Sequence, residues 1–198
     1  MRSRFVIVAL VGLMAGGLVA LITSPDMRST PKASVSTGKA LIGGPFSLVD
    51  HDGKPVTERD FAGRPMLVMF GFTSCPDICP SGLQLMAAAL EKLGDKGRTL
   101  TPLFISLDPE RDTPAKLKDY VSSFHPAIRG LTGTVADVAS AAKAYRVYYK
   151  KVPLDGGEGY TIDHSSFFYI MDGKGEFITH VPHSANPDAL SLRLKSVL

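Results

Sequence analysis

The chain has two cysteines, Cys75 and Cys79, and both lie in the stretch Gly71-Phe72-Thr73-Ser74-Cys75-Pro76-Asp77-Ile78-Cys79-Pro80. Three residues separate them, so where the loop winds into a helix the sulfurs stand about one turn apart and face the same way. Two thiolates so placed suit a soft metal ion such as Cu(I). The pair could equally close a structural disulfide. That loop would be very short, and the loop-entropy relation then gives roughly 2 kcal/mol at best, which a domain of this size hardly needs. Thiol–disulfide exchange is the third chemistry open to them, although the familiar CxxC redox motif is one residue shorter.

The cysteines need a scaffold, and the flanking sequence supplies one. Met66 to Phe72 is apolar on both faces, as in a central strand covered on both sides. Leu83, Met86, Ala87 and Leu90 recur at helical spacing and the run closes near Gly94, with its methionines as core filler. Thr101 to Leu107 reads as a second buried strand. The loop Asp108-Pro109-Glu110-Arg111-Asp112-Thr113-Pro114 leaves it, with Thr113 as N-cap and Pro114 in the first turn of the next helix. After a parallel strand that loop emerges at the same sheet edge as the cysteine loop and borders it, although by spacing alone Asp108, Arg111 and Asp112 are a local charge cluster. Ile128 to Leu131 is a short strand, Thr134 to Asp137 opens a helix with a capping box, and Val147 to Val152 is strand-like. Pro153 to Gly159 is a polar, Gly-rich insertion. Phe167 to Met171, the turn Asp172 to Gly175 and Glu176 to Val181 form a β-hairpin, and Asn186-Pro187 caps a last helix. Strands alternating with helices, then a hairpin and a closing helix, predict an α/β sandwich of three layers.

Histidines are the other ligand candidates. His164, just before the strand that starts at Phe167, is by itself an ordinary hydrogen-bonded residue. Asp163 beside it is a weak candidate to orient its ring, because neighbours on a strand point to opposite faces. His180 and His183 form an HxxH around a strand end and read as two surface histidines.

The 198 residues are 44% hydrophobic and 21% charged, a globular composition with a formal net charge of +3. Arg2 and Arg4 supply much of that excess, and no basic stripe follows, which argues against nucleic acid as a partner. Phe5 to Ile22 is an uncharged apolar run that as a helix would cover roughly 27 Å of a bilayer core of about 30 Å. The expected organisation is a cytoplasmic N-terminus over residues 1–4, an uncleaved transmembrane anchor over 5–22, a flexible Ser/Thr/Pro/Gly-rich tether over 23–41 and a folded domain over 42–198. In a bacterium that domain lies on the periplasmic side of the inner membrane, where cysteines are bonded, metal-bound or actively reduced.

Four pieces of the sequence, the cysteine stretch, Asp108 to Pro114, Tyr145-Arg146-Val147-Tyr148-Tyr149 and Asp163-His164-Ser165, resemble the Sco/SenC family, from about Ile42 to the C-terminus. The resemblance implies a thioredoxin-like three-layer sandwich with a mixed central sheet, tethered by one transmembrane helix. It also implies copper, as Cu(I) and Cu(II), held by Cys75, Cys79 and His164. Its implied role is to deliver copper to the binuclear CuA site of cytochrome c oxidase subunit II, to reduce that site's cysteines, or both. A periplasmic copper donor or thiol reductant would be a further partner. Many members have histidine where Ser74 stands; that residue is not one of the three ligands. The competing functions are a thiol:disulfide reductase or a redox or copper sensor using the same cysteines. A peroxiredoxin-like site is only partly imitated by Thr73 and Ser74. Phe72, Pro76 and the Pro153 to Gly159 insertion are the candidates for a docking surface.

Overall fold

The elements, in chain order, are β1 (Ser47–Asp50), β2 (Pro55–Thr57), β3 (Met66–Gly71), α1 (Ile78–Leu93), β4 (Thr101–Ser106), α2 (Pro114–Ser122), β5 (Arg129–Thr132), α3 (Val135–Ala144), β6 (Tyr149–Pro153), β7 (Tyr160–His164), β8 (Phe167–Met171), β9 (Phe177–Pro182) and α4 (Pro187–Lys195). This computed structural model describes residues 41–198 apart from 155, 157 and 158. The N-terminal segment and anchor expected over 1–22, and all of the expected tether but Leu41, lie outside the described residues. Among the described residues no helix is long and apolar enough to cross a membrane.

Every residue of β3 and β4 is buried, as the apolar runs Met66 to Phe70 and Leu103 to Ile105 require of strands covered on both faces. They pair in parallel from Met66↔Thr101 to Gly71↔Ser106. β4 pairs in parallel with β5, and β8 lies antiparallel against the other side of β3. The hairpin partner β9 and the antiparallel pair β1–β2 complete a mixed seven-stranded sheet of order β2-β1-β5-β4-β3-β8-β9. Helices cover both faces. On one, Met69 reaches Gly82 of α1, and Leu117 and Val121 of α2 close over Gly130, while α4 packs beside α1. On the other, the rings of Phe70 and Tyr169 meet Tyr145, which ends α3. This is the expected three-layer sandwich with a mixed sheet.

Each helix starts where its sequence allows. The side chains of Thr113, Thr134 and Asn186 accept from backbone N–H groups of α2, α3 and α4, the standard satisfaction of first-turn donors. At the start of α1 the N-cap residue Asp77 makes no such bond.

The sequence reading missed β7. β6 and β7 form a separate two-stranded ribbon, paired from Tyr149↔His164 to Pro153↔Tyr160. Tyr160-Thr161-Ile162-Asp163-His164 alternates apolar and polar side chains, but the run is short and buries only Ile162. The Gly-rich insertion lies between these two strands in the chain.

Candidate metal centre

β3 and α1 set the cysteines. β3 ends at Gly71, and the loop from Phe72 to Asp77 carries Cys75 before the helix begins, so Cys79 falls in the first turn of α1. The Cys79 N–H donates to Cys75 Sγ at 3.4 Å, so a sulfur takes the place of the missing N-cap oxygen. Gly71 leaves the space: a Cβ there would stand 2.7 Å from Cys79 Sγ and 2.8 Å from the Phe104 ring. Both thiols are free, Cys75 half-buried and Cys79 buried.

The third group arrives from the ribbon. His164, the last residue of β7, places Nε2 at 3.6 Å from Cys79 Sγ. Its Nδ1 lies 2.9 Å from the Ser165 carbonyl. A carbonyl only accepts, so Nδ1 carries the proton and Nε2 turns a lone pair toward the cysteines. The ring meets Phe72 edge-on at 6.0 Å. One ligand atom from each of Cys75, Cys79 and His164 lies within 4.8 Å of the others. Thiolate and imidazole bonds to a first-row ion such as zinc are about 2.3 and 2.0 Å, which puts the two donors about 3.7 Å apart at a trigonal centre. The observed 3.6 Å fits that spacing. Two sulfurs and one imidazole form a soft set suited to copper.

Charge is shared unequally between the thiols. Donation from the Cys79 thiol, with further donation from backbone N–H groups, outweighs partial burial and holds the Cys75 pKa at about 4. Cys79 is pushed far up by its bond to the Cys75 thiolate and by burial. The Cys79 thiol, ahead of the N–H groups at the helix N-terminus, is the main cause of the Cys75 shift, and the Asp77 carboxylate turns to the Ser81 hydroxyl, from which it accepts at 3.3 Å.

The Asp108 to Pro114 loop borders the site as expected, and its charges are more than a local cluster. Buried Asp112 accepts from Thr73 N–H at 2.9 Å, Thr73 Oγ1 at 2.5 Å and Ser106 Oγ at 2.7 Å. It thereby holds the cysteine loop. Sequence reasoning missed Thr73 because its partner lies 39 residues away; the parallel pairing of β3 with β4 was the available signal. It also missed Tyr160, whose partners Asp108 and Arg111 lie 52 and 49 residues away.

Other candidates fall elsewhere. Asp163 is exposed, and the Ser165 carbonyl takes the Nδ1 contact instead. His180 is exposed, as expected, between the rings of Phe167 and Phe177. His183 is not a surface histidine: its ring packs on Phe168 at 4.6 Å and burial lowers its pKa to about 4. Phe72 is buried under the site and cannot dock a partner directly. The open cleft beside Cys75 and His164 is walled by Pro76, Ile78 and Thr161. Ile78, half exposed, is the apolar side chain on this rim that the sequence reading left out.

Comparison with known proteins agrees with this geometry. The SCO1/SenC family model matches residues 34–198. The mitochondrial protein SCO1 of Saccharomyces cerevisiae is 48% identical over 155 residues, which are 77% of this chain and 52% of that protein. The chain thus spans about half the length of that curated relative. The SCO2-like protein of Rickettsia felis is 35% identical over 96% of this chain and 93% of its own length. The copper-bound structure of Bradyrhizobium japonicum ScoI superposes with a TM-score of 0.74 at 43% identity, covering 79% of this chain and 99% of that one. With a family model matched from before the first described strand to the last residue, this chain belongs to the SCO1/SenC family.

Proposed function

We propose that this protein carries copper on Cys75, Cys79 and His164. In this reading it delivers the ion to the CuA centre of cytochrome c oxidase subunit II during assembly of that oxidase, acting from the periplasmic face of the inner membrane. The observation that carries the reading is the convergence of two thiols and one imidazole lone pair within 4.8 Å at an open cleft. A carrier must bind and also release. Cys75 is half-exposed, so an incoming thiolate reaches it first; Cys79 is buried and lets go last. The relatives support the cargo, since Bradyrhizobium japonicum ScoI was solved with copper bound.

A second reading has its own observation. A thiol held at about 4 beside a buried, strongly protonated one is the asymmetry expected of a thiol:disulfide reductase, with Cys75 attacking a partner's disulfide and Cys79 resolving the mixed disulfide. The readings part at His164, which Cu(II) retention requires and disulfide exchange does not. Anaerobic titration of the reduced chain and of His164→Ala with Cu(I) and Cu(II) decides between them. The carrier reading expects one copper per chain, thiolate-to-copper absorption with Cu(II), and loss of that absorption in the variant. If neither protein holds copper while both reduce a disulfide equally well, the reductase reading replaces it.

A further inference from the structure

His164 rides on a ribbon that pairs with no strand of the main sheet, so side chains must fix where the ribbon stands. Four residues before His164, at the other end of β7, the ring of Tyr160 lies under the Arg111 guanidinium, 3.9 Å from its centroid. Arg111 Nη1 donates to the Tyr160 carbonyl at 2.9 Å, and Nε donates to Asp108. The other oxygen of Asp108 accepts from the Tyr160 hydroxyl at 2.7 Å. Asp108 is fully buried, with its own N–H donating to Ser106 Oγ at 3.0 Å. Lys151 adds an exposed pair with Glu110, of a kind worth little. The clasp is therefore Asp108, Arg111 and Tyr160. Its loop is the one whose Asp112 holds the cysteine loop through Thr73. One loop thus grips both halves of the site.

We propose that Arg111, stacked on Tyr160 and braced by Asp108, is a positioning residue that fixes His164 against the two thiols and so sets how well the site holds Cu(II). The inference rests on the copper reading given above. It concerns Cu(II) because two thiolates satisfy Cu(I), whereas the harder ion draws more on the imidazole. A planar guanidinium can stack, bridge a carbonyl and pair a carboxylate at once, which an ammonium cannot.

The test uses the full reduced chain in mild detergent and two variants. Tyr160→Ala leaves the Arg111–Asp108 pair in place. Arg111→Lys keeps a cation beside the buried carboxylate, so the loop still folds. Tyr160→Phe keeps the ring and removes only the hydroxyl's bond to Asp108, so it separates the stack from that bond. In the metal-free protein, amide exchange across β7 is expected to rise about tenfold in both variants while β3 and β4 are unchanged. With copper, the Cu(II) dissociation constant is expected to rise about tenfold to a hundredfold, as for other groups that orient a ligand. The charge-transfer band is expected to shift and Cu(I) binding to change far less, with Tyr160→Phe falling between wild type and Tyr160→Ala. Unchanged β7 exchange, or a wild-type Cu(II) spectrum and affinity in both variants, overturns the proposal. A wild-type chain that holds no copper would overturn the copper reading instead, and the exchange measurement would still decide whether the clasp exists.

Discussion

At the scale of single residues the site is an acid–base pair before it is a metal site. The Cys75 pKa of about 4 lies below the ordinary thiol value of about 8.5, and that of Cys79 lies above it. Between pH 4 and 8.5 native Cys75 is a thiolate while the unfolded chain still protonates it, so the unfolded state binds more protons and stability rises with pH. Above about 8.5 the sign reverses, because native Cys79 keeps a proton that the unfolded chain releases. The contribution of Cys75 is complete above about 8.5 and is lost as pH falls through about 4. That of Cys79 is complete below about 8.5 and fades above it. The metal-free reduced protein is therefore expected to gain stability relative to Cys75→Ser from pH 4 upward and to level off above about 8.5, measured as the difference in urea midpoints. A difference that is flat across that range would contradict the thiolate assignment. In the same window iodoacetamide should label Cys75 at pH 6 far faster than Cys79. The cysteines themselves announce this chemistry in the sequence. The direction of the shift does not show there, because it rests first on the Cys79 thiol donating to Cys75, and spacing alone does not say which sulfur donates.

At the scale of elements, the end of β3 and the start of α1 must share one volume. Gly71 pairs with Ser106 at the last rung of the parallel ladder, and Cys79 Sγ and Phe104 occupy the space where a side chain would go. Gly71→Ala forces one of them aside. Overpacking of this kind costs about 1–3 kcal/mol, so a lower urea midpoint is expected together with weakened copper binding, since the displaced atom is a proposed ligand. A variant with unchanged midpoint would mean that the strand end relaxes freely. The legibility of these elements follows their burial. β3, β4 and β8 show in the sequence because each carries a continuous apolar run that the fold buries, and α2, α3 and α4 because their caps use ordinary Thr and Asn chemistry. β7 does not show, because it buries one residue and exists through pairing with β6. His164 stands at its end, which is why only the family resemblance, and no local pattern, pointed to it.

At the scale of the molecule, the site joins segments that the chain keeps far apart: Cys79 and His164 are 85 residues apart and Thr73 and Asp112 are 39. The fold brings them together because β3 and β4 run parallel and deliver their following loops to one edge, while the link from β7 to β8 returns across the same end. The main sheet is a rigid base, and the ribbon is an outlier attached through few buried side chains. A metal bridging the two would therefore tie the least anchored part of the domain to the best anchored. An ion that binds only the native state adds about 2.7 kcal/mol at a free concentration of 100 times the dissociation constant. For a domain of this size each kcal/mol moves the midpoint by about 2–4 °C, so copper is expected to raise Tm by about 5–10 °C. Cys79→Ala, which keeps one thiol and the imidazole, should lose most of that rise, and His164→Ala should keep more of it with Cu(I) than with Cu(II). Equal rises in wild type and Cys79→Ala would place the ion elsewhere on the protein. A rise confined to the wild type, accompanied by slower amide exchange across β7, would mean that the metal closes the ribbon onto the sheet.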